Sequence, residues 1–217
     1  MNAVSRAEVG LRFVLKPLVF LLCLLPFALL AKGAVQGDLG ANPLERVTDV
    51  TGEWGLYFLL ITLTLSPLRR LSGWAAVLRF RRMLGLFAFF YISLHLLTWV
   101  WLDQELRWGN MVADIAKRPY ITVGFLAWLL LVPLAATSTR GMMRRLGRRW
   151  KSLHQAIYVV ATLGVLHYLW LVKADILEPV ILGLVLVALL VVRWKPRPLL
   201  RRRKVPPSAS EAGSGYA

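Results

Sequence analysis

The chain has 217 residues, 58% of them hydrophobic and 18% charged, with a formal net charge of +16 and a mean hydropathy of +0.60. An apolar share this far above the roughly 45–50% of ordinary globular domains excludes a soluble single core, and apolar runs of fifteen residues and more exclude a simple basic nucleic-acid binder. The single cysteine, Cys23, excludes a disulfide framework and any Cys-based zinc or iron–sulfur site.

In chain order, apolar stretches at 17–31, 54–68, 83–102, 120–137, 152–172 and 179–194 predict six membrane-crossing helices, given ~30 Å of hydrocarbon and about 1.5 Å of rise per residue. The expected fold is an all-α, polytopic bundle. Segment 1–16 precedes the six-helix domain at 17–194, and 195–217 reads as a basic stretch followed by a disordered tail. The first run, with its basic start and small residues near Ala31 to Ala34, also has features of a secretory signal peptide. Its length reaches the ~15-residue upper limit of a signal core, which favours a retained helix. The connections at 32–53 and 103–119 read as outer loops, and no internal repeat is evident.

Basic residues orient the bundle, because short loops rich in Lys and Arg stay on the cytoplasmic side. Arg6, Arg12 and Lys16 precede the first run, and Arg69, Arg70, Arg79, Arg81 and Arg82 lie between the second and third. Six more, Arg140 to Lys151, lie between the fourth and fifth, and seven follow from Arg193 to Lys204. Alternate connections thus carry 21 of the 27 basic residues and only Glu8 and Glu211 of the eleven acids. Both termini are expected inside, and the net charge is first an orientation signal.

All three histidines, His95, His154 and His167, fall in or at the edge of expected spans, where an ionisable group is costly and functional by default. His95 lies thirteen residues past Arg82, about 20 Å, and His167 sixteen past Lys151, about 24 Å, on two helices running the same way. Similar depth on two helices suits a planar macrocycle clamped from both sides. Heme fits, with neutral imidazoles as axial ligands and no competing thiolate. Phe87, Phe89, Phe90, Tyr91, Trp99, Tyr168 and Trp170 are candidates for its dry shell, and equally for packing or lipid-facing positions. His154, near the cytoplasmic interface, stands thirteen residues before His167, which in a straight helix turns the two side chains to different faces. It is either a second iron-ligating position or a hydrated interfacial histidine. Arg79, Arg82 and Arg149 are candidates to neutralise heme propionates or a flavin phosphate. No glycine-rich nucleotide fingerprint is present, so electrons from a nicotinamide would have to arrive through another protein, a bound flavin or membrane quinol.

The segments LGANPLERVTDVTGEW, LSPLRRL, RRMLGLFAFFYISLHLLTW, KRPYITVG and RRLGRRWKSLHQAIYVVATLGVLHYLW resemble the MsrQ (YedZ) family of heme-binding membrane subunits of bacterial protein-methionine-sulfoxide reductases. The likeness extends over nearly the whole chain to Trp194. It implies a six-helix, ferric-reductase-like domain in the bacterial inner membrane, fed by the quinone pool or a cytoplasmic flavin reductase. Heme b, with FMN as a further cofactor, would pass electrons to MsrP, a periplasmic molybdopterin reductase that repairs oxidised methionines. His95, His154 and His167 match the family's histidines. Larger ferric reductase and NADPH oxidase relatives carry two histidine pairs, and one of those four is missing here. The residues alone also admit a stand-alone ferric or quinone reductase cytochrome. A heme-free transporter or assembly factor is disfavoured by the lack of acidic residues deep in any span and of an internal repeat.

Overall fold

The computed structural model describes residues 11–194; the first ten residues and the tail expected at 195–217 lie outside the described residues. Among the described residues nine α-helices follow in order: α1 (Lys16–Gln36), α2 (Pro43–Ser72), α3 (Arg81–Leu97), α4 (Trp108–Lys117), α5 (Pro119–Ala136), α6 (Arg140–Leu146), α7 (Arg148–Leu153), α8 (Ala156–Leu171) and α9 (Leu177–Trp194). A 3-10 segment, Ala75–Phe80, leads into α3, and a π-helical turn, Thr98–Asp103, extends it. No strand occurs among the described residues. The protein is an all-α membrane protein. Phe13–Gln36, Ala75–Asp103 and Pro119–Ala136 are each long and apolar enough to cross a membrane; α2 and α9 contain the apolar runs at 54–68 and 179–194, and α8 holds that at 152–172 only from 156 to 171.

Helix α2 begins eleven residues before the expected run at 54. Asn42 accepts from the Glu45 N–H at 3.3 Å and donates its side-chain amide to the Glu45 carboxylate at 2.9 Å, while Pro43 supplies a preset first-turn φ. The expected outer loop at 32–53 therefore shrinks to a turn before α2, entered through Gly37 at φ 69. The second expected loop, 103–119, contains α4.

The long antiparallel contacts are α2 along α3 and α5 along α8, with α3 touching α5 and α2 touching α8; α1 and α9 flank this core. Its centre is built from Leu59, Ala88, Tyr91, Leu131, Val160 and Ala161. Leu21, Leu22 and Leu29 on α1 and Leu184, Val187 and Val191 on α9 point outward and exposed, the inverse of a soluble protein's pattern and suited to lipid.

Tyr91 ties α1 to the core. Pro26 lies inside α1 and has no N–H to give to the ladder. The Tyr91 hydroxyl bonds into the same turn, accepting from the Phe27 N–H at 3.0 Å and donating to the Cys23 carbonyl at 2.9 Å. A side chain from α3 thus bonds backbone groups beside the proline, which matters where no water can do so.

Candidate functional site

His95 sits in the last turn of α3, and His167 one turn from the end of α8. The His95 Nδ1–H donates to the Thr48 carbonyl at 2.9 Å, and the His167 Nδ1–H donates to the Tyr120 carbonyl at 2.7 Å. A carbonyl can only accept, so each ring carries a proton on Nδ1, and the neutral imidazole then keeps a bare lone pair on Nε2, the state a metal requires. The two ring centroids are 6.0 Å apart, with planes at 79°.

Glycine makes both approaches possible. A Cβ on Gly52 would stand 3.0 Å from the His95 Nδ1, and one on Gly124 would stand 2.7 Å from the His167 Nδ1. Each glycine lies one turn beyond the accepting carbonyl on the same helix face, Thr48 before Gly52 and Tyr120 before Gly124, so a side chain there would block the ring. Carbonyl and histidine are 47 residues apart in both sets. Thr48, Gly52 and His95 recur 72 residues later as Tyr120, Gly124 and His167. The α2–α3 and α5–α8 pairs are thus an internal repeat in geometry. No repeat is evident in the sequence, because a backbone carbonyl leaves no residue identity and, of the three positions, only the glycine and histidine recur.

The donor set decides what can be held here. Among the described residues no group of three or more His, Cys, Asp and Glu side chains surrounds a point, so a bare ion would lack ligands. Two imidazoles on opposite sides suit a macrocycle that brings its own four equatorial nitrogens. The 6.0 Å separation is close to two metal–nitrogen bonds of about 2 Å plus the distance of each Nε2 from its own ring centre.

His154 lies at the C-cap of α7, and α8 starts only at Ala156. The straight-helix argument for its facing away from His167 therefore does not apply, since the chain turns between the two helices. Its Nδ1–H donates to the Trp150 carbonyl at 3.1 Å, and its ring stacks on the Trp150 indole at 3.9 Å. Its Nε2 is buried without a well-formed hydrogen bond. It borders a cavity of about 230 Å³ whose lining includes Arg81, Arg82, Gly85, Ser138 and Trp150. The 72-residue offset carries Arg82 onto His154.

Of the three arginines expected near a cofactor, Arg82 lines this cavity; Arg79 and Arg149 do not. Arg81, outside the expected set, does. Among the expected shell aromatics, Phe87 and Tyr91 pack with Phe58 inside the core, Phe90 packs on Phe27, and Trp170 is half exposed.

At the end of the bundle remote from the arginines, Tyr57 donates a hydrogen bond to the Glu178 carboxylate. Burial, and then the carboxylates of Glu178 and Asp49, push the Glu53 carboxyl above its ordinary value, partly offset by Arg46.

Residues 51–165 match the family described as ferric reductase like transmembrane component. Over 187 residues the chain is 57% identical to the protein-methionine-sulfoxide reductase heme-binding subunit MsrQ of Rhodospirillum rubrum, covering 86% of this chain and 89% of that one. The protein of the same name from Herminiimonas arsenicoxydans is 50% identical over 191 residues, 85% of this chain and 88% of its own. That of Xanthomonas campestris pv. campestris is 53% identical over 176 residues, with 79% and 81% covered.

Proposed function

The chain belongs to the MsrQ family of ferric-reductase-like membrane subunits, and on that premise we propose that it is a transmembrane electron-transfer subunit in which His95 and His167 hold a heme b. The observation that supports this reading is the pair of imidazoles 6.0 Å apart, each with Nδ1 committed to a carbonyl and Nε2 left bare. Heme held by His95 and His167 would supply a one-electron carrier at this site.

The residues of the chain have distinct tasks in this proposal. The Thr48 and Tyr120 carbonyls set the tautomer of each ring and raise its basicity as a ligand. Gly52 and Gly124 let the rings reach those carbonyls. His154 is a further iron-ligating position at the other end of the bundle, with Arg81 and Arg82 as counter-charges for carboxylates. FMN has a weaker fit: of the three arginines considered for its phosphate, only Arg82 borders the cavity.

The domain would span 17–194 and cross the bacterial inner membrane six times, with both termini and the basic end in the cytoplasm; the alternation of basic connections supports this orientation. Quinol or a cytoplasmic flavin reductase would be the electron source. The His95 and His167 pair lies toward the opposite end, where MsrP, the periplasmic methionine-sulfoxide reductase, would be the acceptor.

The test is spectroscopic and then kinetic. Purified protein expressed with ample heme should have a low-spin b-type spectrum whose α band sharpens on reduction; no Soret band would sink the reading and favour a heme-free transporter. The reduced protein should be reoxidised by the methionine-sulfoxide reductase together with its substrate. Rapid reoxidation by ferric chelates, with none by that reductase, would make it a stand-alone ferric reductase cytochrome.

A further inference from the structure

Two buried polar side-chain atoms make no well-formed hydrogen bond among the described residues: His154 Nε2, which borders the cavity above, and Trp99 Nε1, which belongs to no site yet described. Buried indole N–H groups ordinarily find an acceptor. Two others here do so: the Trp128 Nε1–H donates to the Ser93 hydroxyl at 3.1 Å, and the Trp150 Nε1–H donates to the Thr137 carbonyl at 3.0 Å. The exception at Trp99 is therefore local.

Trp99 follows His95 by four residues, one helical turn, which puts it on the same face about 6 Å farther from the basic end. Its backbone is held there. The Thr98 N–H bonds to the His95 and Leu94 carbonyls, and the Trp99 carbonyl accepts from the Gln104 N–H at 2.9 Å. Trp99 thus stands one turn beyond the ligand position with its indole donor unspent. A heme offers very little that such a donor can bond: its edges are hydrocarbon, its four nitrogens face the iron, and its acceptors are two propionate carboxylates.

We propose that Trp99 is a cofactor-positioning residue whose Nε1–H donates to a heme propionate at the His95–His167 site. The inference rests on the heme reading above. The bond would be charge-assisted and would fix the rotation of the macrocycle about the axis between the two histidines.

The experiment follows transfer of heme from the loaded protein to excess apomyoglobin, for the wild type and Trp99→Phe, each carrying either ordinary heme or heme dimethyl ester. Phenylalanine keeps an aromatic ring and deletes the donor. With ordinary heme the variant should lose its cofactor about tenfold faster or more; with the ester the two proteins should match. Equal rates with ordinary heme overturn the proposal, and so does an equal acceleration with both hemes, which would mean that the indole only packs. Failure of the wild type to bind heme at all is a failure of the heme reading and is seen first, in the spectrum. Should Trp99→Phe not fold, the wild type decides alone by ultraviolet resonance Raman. Its indole N–H band should indicate a stronger hydrogen bond with ordinary heme than with the ester, and no difference overturns the assignment.

Discussion

The ring of His95 stands edge-on to the ring of His167, with centroids 6.0 Å apart and planes crossed at 79°. Neither ring is free to choose this pose. Each is fixed by a carbonyl 47 residues earlier in the chain, so the gap between the two Nε2 atoms is set by how α2 packs on α3 and α5 on α8.

His95→Ala and His167→Ala should each abolish most heme retention, read as the ratio of Soret to protein absorbance after purification. His154→Ala should have a smaller or partial effect, because it removes a side chain that borders a separate cavity. Heme lost from His154→Ala and kept by His167→Ala would mean that the wrong two histidines have been paired.

Gly52→Ala and Gly124→Ala test the approach of the rings to their carbonyls. The added methyl would stand 3.0 Å from the His95 Nδ1 in one case and 2.7 Å from the His167 Nδ1 in the other, so both rings must move, the second farther. Overpacking of this kind costs about 1–3 kcal/mol. Both variants should keep their helical circular dichroism and retain less heme, Gly124→Ala the lesser amount. Wild-type heme content in both would mean that ligation does not need these carbonyl contacts.

Tyr91→Phe removes the hydroxyl that bridges the Phe27 N–H and the Cys23 carbonyl beside Pro26. Both backbone groups would lose that partner in an apolar setting, at a cost of about 1–3 kcal/mol. The variant should unfold several degrees lower in the same detergent, while Phe90→Leu, which removes no polar group, should not reproduce the loss through α1. Hydrogen exchange at Phe27 separates the two: it should accelerate only in Tyr91→Phe.

Glu53 gives the bundle a pH dependence of definite sign. Its carboxyl titrates above its ordinary value of 4.5 because burial and the neighbouring Glu178 and Asp49 carboxylates oppose its charge. Between the unfolded and the folded value the native state holds a proton that the unfolded chain has released, so this group's contribution to stability falls as pH rises through that window. Glu53→Gln should therefore raise the unfolding temperature at neutral pH, and the gain should vanish below the ordinary carboxylate range. A gain independent of pH would refute the electrostatic account.

Much of this protein is legible along the chain. Six apolar runs, the basic residues on alternate connections and three histidines at membrane depth are local features, because each residue's preference for lipid or water depends mainly on its own side chain. The cap at Asn42, Pro43 and Glu45 was also on view, although the polar turn after it, with Arg46, Asp49 and Glu53, disguised the start of α2. The amphipathic α4 was hidden in the same way inside a connection.

Which atoms the histidines meet was a different kind of fact. Thr48 and Tyr120 act through carbonyl oxygens that every residue possesses, and Gly52 and Gly124 act through a side chain they lack. His154 left its expected helix because the chain turns between α7 and α8, where the Trp150 carbonyl takes its Nδ1–H. Sequence alone determined that this chain enters a membrane, and which side chains are able to bind a metal. Tertiary packing decided which of those side chains face one another, because an imidazole can reach a distant carbonyl only where two helices come close enough to leave no room for a Cβ.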